Sequence, residues 1–143
     1  MQLKKLKNKE EISLGTHSFS AEEIIKFAKI NDPLPFHLSK KAAMKSRFKG
    51  LVTSGSQAFN FFYVHAWVPK FGQTVISGLA LNDWEFLSPI YEEETINGFC
   101  ALEQIKTTSQ TNEVVIDWFF SFINENNQLK QKLTLKILHQ IEN

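Results

Sequence analysis

Asp32 and His37 lie five positions apart in the run Asp32-Pro33-Leu34-Pro35-Phe36-His37. A carboxylate and an imidazole are the usual partners in general acid/base chemistry. Each proline fixes its own φ near about −65° and biases the residue before it away from helix. Together the two prolines stiffen the link, which could hold the two groups at one fixed separation. The same run also reads as a plain helix stop with an incidental histidine, and spacing alone does not choose between these readings.

The elements that must position this pair are legible on both sides of it. Ser20 is a candidate N-cap, and Glu23 completes a capping box. Phe19 and Ile24 make the matching hydrophobic staple, and Ile24, Phe27 and Ala28 form an apolar stripe at helical spacing. That helix should stop near Asn31. A second, short helix is predicted over residues 39–48 with Ser39 as its cap. A third is predicted over 57–68, where Ala58, Phe59, Phe61, Phe62, Val64, Ala66, Trp67 and Val68 surround the whole circumference. A helix apolar on all sides is a core helix. Pro69 and Gly72 should end it.

After Gly72 the apolar period changes from helical to twofold. Val114, Ile116, Trp118, Phe120 and Phe122 alternate with their neighbours, as do Leu129, Gln131, Leu133, Leu135 and Ile137. Residues 124–127 form a polar turn between these runs, so the two should be a hairpin. Residues 74–86 and 95–106 read as further strands, and 12–19 as a short one. The expected fold class is α+β, a long apolar helix packed on a curved antiparallel meander.

Composition narrows the function classes. The chain has 143 residues with 43% hydrophobic and 22% charged, the profile of one globular domain, here taken as 1–143 with a mobile polar lead at 1–10. A net charge of +1 gives no general case for nucleic acid. The single cysteine, Cys100, fits a reducing, cytoplasmic setting. The basic start is followed by no apolar segment, so no secretory signal is expected. The longest uncharged run, 50–69, is too polar for a membrane span. No zinc spacing exists among Cys100 and the four histidines, and Glu92-Glu93-Glu94 reads as a turn, so no metal is expected.

The quoted residues resemble a known family. The run from Asp32 to Leu38, then Ala42 and Ala43, then Phe48-Lys49-Gly50-Leu51-Val52-Thr53-Ser54-Gly55, is similar to the MaoC-like branch of the hotdog fold. That branch includes (R)-specific enoyl-CoA hydratases and related acyl dehydratases. A weaker resemblance continues through Trp84 and Pro89 to Thr95, and in all it covers roughly residues 19–139. Three positions depart from the family pattern. Leu34 stands where the family has Asn, Ser54 where it has His, and Tyr63 where it has a helix Ser that positions the catalytic His.

The resemblance implies a hydro-lyase for a 2-enoyl thioester, on coenzyme A or an acyl carrier, in a homodimer. Coenzyme A would enter as part of the substrate, with no separate cofactor. Asp32 and His37 would be catalytic, holding a water and moving its proton. Gly55, at the start of the central helix, would offer its backbone N–H to the thioester oxygen. Ser54 and Tyr63 sit at binding positions, with Ser54 more readily read as a helix cap. Lys40, Lys41, Lys45, Arg47, Lys49 and Lys70 fall in a stretch from 33 to 82 without Asp or Glu. Such a stretch suits coenzyme A phosphates or an acidic carrier, or is simply a solvated face. His65, His17 and His139 read as structural. Part of the aromatic cluster Phe59, Phe61, Phe62 and Trp67 could floor an acyl pocket.

Two other functions compete. A hotdog thioesterase often places its working carboxylate on the central helix, and residues 54–68 contain none. A non-catalytic acyl-CoA-binding module is suggested by Leu34, Ser54 and Tyr63 and opposed by retention of Asp32 and His37.

Overall fold

The computed structural model describes residues 3–141. In chain order it holds β1 (Glu11–Ser18), α1 (Ala21–Asn31), α2 (Pro35–Leu38), α3 (Lys40–Lys45), α4 (Gln57–Phe62), a π turn (Tyr63–Trp67), α5 (Val68–Phe71), β2 (Val75–Phe86), β3 (Thr95–Thr107), β4 (Glu113–Asn124) and β5 (Leu129–Gln140). The strands form one antiparallel sheet in the order β1-β3-β4-β5-β2. The expected meander therefore holds for β3, β4 and β5 only. β2 lies beyond β5 at the far edge, because the helices carry the chain across the sheet before β2 begins.

Local chemistry explains the elements. The Glu23 N–H donates to Ser20 Oγ at 3.1 Å, and the Ser20 N–H donates to Glu23 Oε1 at 3.2 Å, so the capping box of α1 is complete. α1 buries Ile24 and Ala28 and ends at Asn31, before Pro33. In β4 the side chains of Val114, Ile116, Trp118, Phe120 and Phe122 all face the core. Register shifts interrupt β2 at three places, and such bulges bend a strand. This curves the sheet around the helical run 57–71.

That run differs from its expected form in two ways. Pro69 does not end it. Instead the Val68 N–H reaches back five residues to the Tyr63 carbonyl, and the π turn lets helix continue through Pro69 to Phe71. The run is also not buried all round. Ala58, Phe62, Trp67 and Phe71 face the sheet, while Val64, His65 and Val68 remain exposed.

Contact between helix and sheet depends on a missing side chain. A Cβ on Gly98 of β3 would lie 2.7 Å from Phe62 Cδ1, so only glycine admits this ring. Phe62 stacks on Phe122 at 5.5 Å, and Trp67 meets Trp118 edge-on at 5.4 Å. The segment expected to be a mobile lead is docked from Leu3 onward. Leu3 is buried, and the Lys9 N–H donates to the Leu102 carbonyl at 2.7 Å.

Candidate active site

Asp32 is the residue at which α1 ends. Its N–H still donates to the Ala28 carbonyl at 2.8 Å, and its own carbonyl accepts from the Leu34 N–H at 2.7 Å. The chain turns there, and Pro35 opens α2 at the first helical position, where its missing N–H costs nothing. One turn of helix then points His37 back toward Asp32. Sequence reasoning did not foresee α2, which has only four residues.

The His37 ring is 6% exposed and both of its nitrogens are engaged. Nδ1 lies 2.8 Å from the Val52 carbonyl oxygen. A carbonyl only accepts, so Nδ1 carries a hydrogen and Nε2 is the nitrogen free to exchange one. Nε2 lies 3.2 Å from Asp32 Oδ2, and the Asp32 side chain is 34% exposed. A bare imidazole nitrogen and a carboxylate would set two lone pairs against each other. A proton on either group removes that repulsion, and an imidazole beside a partly accessible carboxylate is the kind of pair that general acid/base chemistry uses.

Val52 is held in place by the opposite wall. It forms a bridge with Tyr91, the Thr53 N–H donates to the Ile90 carbonyl at 2.9 Å, and the Glu92 N–H donates to the Leu51 carbonyl at 3.1 Å. The Tyr91 hydroxyl donates to the Phe48 carbonyl at 2.7 Å. The wall itself is fixed by Lys130, whose ammonium is buried and donates to the Pro89 carbonyl at 2.9 Å and to Glu94 Oε2 at 2.8 Å. Burial alone would raise the Glu94 pKa. Hydrogen bonds from Asn124, Lys130 and the Tyr91 N–H outweigh it and hold the carboxyl below its ordinary value. Sequence reasoning missed Lys130 and Val52. Lys130 sits on the polar side of an alternating strand, and Val52 acts through its backbone, so neither left a side-chain signal.

His37 and Gly55 both line a cavity of about 320 Å³, together with Phe36, Phe48, Thr53 and Phe86. Gly55 precedes the central helical run, and among the described residues its N–H meets no protein acceptor. A Cβ there would come within 2.9 Å of the Phe86 ring. Ser54 does not cap the helix as expected. The cap position is Ser56, while Ser54 is fully buried and its Oγ has no hydrogen-bond partner. Tyr63 is not brought to the cavity either. It lies in the π turn, stacked on Trp67 at 5.2 Å and tilted against Phe59 at 5.4 Å.

A sequence model of the MaoC-like domain matches residues 4–118, and its span contains the Asp32–His37 turn, the cavity wall and Gly55. The chain belongs to the MaoC-like domain family. This MaoC-like chain is 28% identical over 99 residues to the uncharacterised protein YdeM of Bacillus subtilis, a match covering 68% of each. It superposes on the MaoC-like dehydratase of Rhodospirillum rubrum with a TM-score of 0.86, at 22% identity, covering 100% of this chain and 99% of that one. It superposes on the unliganded R-hydratase PhaJ1 of Pseudomonas aeruginosa with a TM-score of 0.75, at 16% identity, covering 97% and 85%. These likenesses establish the hotdog fold.

The other sequence candidates take structural places in this MaoC-like domain. His17 stacks on Phe61 at 3.8 Å and bonds Glu23 Oε2 at 2.8 Å. His139 is buried between Trp118 and Thr74. Cys100 is buried in β3, and desolvation pushes its thiol up to about 12, which leaves it unreactive. Residues 91–94 form a turn held by Glu94. Among the described residues, no three His, Cys, Asp or Glu side chains converge to hold a metal ion, and no helix is long and apolar enough to cross a membrane.

Proposed function

We propose that this MaoC-like protein adds water across the double bond of a 2-enoyl thioester, or removes it in reverse, with Asp32 and His37 as the acid/base pair. One observation carries the reading. The Val52 carbonyl fixes the hydrogen on Nδ1, so Nε2 is left facing Asp32 Oδ2 at 3.2 Å beside a cavity. The names of the R-hydratase and dehydratase neighbours support the same reaction type.

In the hydration direction the water oxygen bonds to C3, and its proton passes to the His37–Asp32 pair. The C2–C3 π electrons move onto the thioester oxygen as an enolate. The pair then returns a proton to C2, so the cycle ends with the protein unchanged. The free Gly55 N–H at the cavity wall is the group available to stabilise the enolate oxygen, assisted by the positive end of the helical run that follows. Phe36, Phe48 and Phe86 give the cavity an apolar lining suited to an acyl chain. No chemistry is assigned to Ser54 or Tyr63.

We further propose a homodimer paired along β2. This strand is a sheet edge, and Ile76, Leu79, Leu81 and Phe86 are exposed on it. An exposed apolar edge strand requires cover. Sedimentation at micromolar protein should give twice the chain mass, and a monomer would refute the pairing.

The test of function is a panel of 2-enoyl-CoA thioesters followed by loss of enone absorbance. Turnover that vanishes in His37→Asn supports the reading. Acyl-CoA binding with no turnover would make the protein a binding module, and thioester cleavage indifferent to His37 would make it a thioesterase.

A further inference from the structure

We propose that the outer face of α3 and the turn after it form a docking surface for an acidic acyl carrier protein, so that the thioester reaching His37 arrives on a protein. The proposal rests on the reading of the site as an enoyl-thioester hydratase and names the carrier for it. Five cations, Lys40, Lys41, Lys45, Arg47 and Lys49, fall within ten residues that hold no carboxylate, and all five are exposed. Lys40 pairs with Glu92 at 3.2 Å. Among the described residues the other four are in no ion pair. The chain as a whole has a net charge of only +1, so the rest of the molecule is net negative and this face stands apart from it. An acidic partner would be steered toward this face.

Shape favours a protein over a free phosphate. Ala43 turns inward and is buried, while Lys40, Lys41, Met44 and Lys45 share the outward stripe of α3. Side chains on one helix face diverge, so they match an extended acidic surface better than a single phosphate group. Met44 is 58% exposed at the centre of this ring of cations. An apolar centre with a charged rim is the pattern of a protein interface, and a phosphate has no use for a thioether. Position completes the argument. Ser39, two residues beyond His37, caps α3 through the Ala42 N–H. Phe48, at the far end of the basic segment, lines the cavity with His37, and its ring lies 5.2 Å from that of Phe36. α3 is only about 9 Å long, so a partner seated on it stands at the mouth of the site.

The experiment compares wild type, Lys41→Glu/Lys45→Glu and a control pair on α1, Lys26→Glu/Lys29→Glu. The probes are a but-2-enoyl acyl carrier protein and but-2-enoyl-CoA. Binding is read by fluorescence anisotropy of the labelled carrier at low and high salt, and turnover by enone absorbance. The α3 variant should weaken carrier binding, and raise KM for the carrier thioester, by roughly tenfold or more with kcat unchanged. KM for but-2-enoyl-CoA should stay within about twofold, and the control should match wild type. Equal loss for both thioesters would mean the face holds coenzyme A phosphates. Unchanged or absent carrier binding would mean it is a solvated surface. Either result overturns the proposal. Should wild type turn over neither thioester, the hydratase reading fails while the binding arm still decides the docking surface.

Discussion

His37 and His139 are both buried, and both ring nitrogens of each have a polar neighbour, yet those neighbours differ in kind. The Trp118 Nε1–H donates to His139 Nε2 at 2.9 Å, so Nδ1 carries the hydrogen and donates to Thr74 Oγ1 at 2.9 Å. Both partners are neutral, and desolvation pulls the His139 pKa down to about 4. His37 has the same tautomer, with its Nδ1–H on the Val52 carbonyl. The difference is the partner on Nε2. An indole donor occupies the lone pair of His139 and leaves nothing to exchange. A carboxylate faces Nε2 of His37 at 3.2 Å, and a proton on one of the two groups relieves the repulsion of their lone pairs. Burial alone therefore does not separate the two rings; on the proposed function, the carboxylate beside the second nitrogen of His37 is what does.

The comparison can be broken by removing each ring. His37→Asn or Asp32→Asn should lower hydration on the order of 10²-fold or more while circular dichroism and the melting curve stay close to wild type. His139→Ala should do the reverse. It leaves the Trp118 N–H unpaired over a cavity, so urea unfolding should show a loss of about 2–4 kcal/mol. Activity per folded molecule should remain within about threefold of wild type.

Acid should act on stability through His139. In the unfolded chain His139 takes a proton near its ordinary value of 6.5, while the native ring resists until about 4. The unfolded state binds more protons across that window, so the contribution is complete above about pH 6.5 and is lost as pH falls toward 4. The loss should reach about 3 kcal/mol, and His139→Gln should flatten this part of the stability curve measured by urea unfolding at stepped pH. The smallest effect is expected at Ser54. Its buried hydroxyl has no partner, so Ser54→Ala should be neutral or stabilising by up to about 1 kcal/mol, read from the urea midpoint.

The parts of this molecule that were legible in sequence are those written within a few residues. The capping box of α1 needs only Ser20 and Glu23, and the β4–β5 hairpin needs only alternation and a polar turn. Asp32 and His37 could be paired because two prolines lie between them. What escaped depended on distant backbone. The bond that fixes the His37 tautomer goes to a carbonyl fifteen residues away. Ser54 looked like a cap because it precedes a helix, but the helix begins two residues later than a Ser54 cap requires. Pro69 looked like a stop because the π turn that accommodates it has no sequence signature of its own. Lys130 fell among the polar neighbours of an alternating run because its partners, Glu94 and Pro89, come from the loop between β2 and β3, two strands earlier in the chain.

Mass analysis of the product formed from but-2-enoyl-CoA in ¹⁸O-labelled water tests the central claim most directly. The expected product is an intact thioester heavier by one labelled water, formed by wild type and by His139→Gln and absent with His37→Asn. A free acid carrying the label, or a hydrated thioester formed equally well without the His37 imidazole, would contradict it.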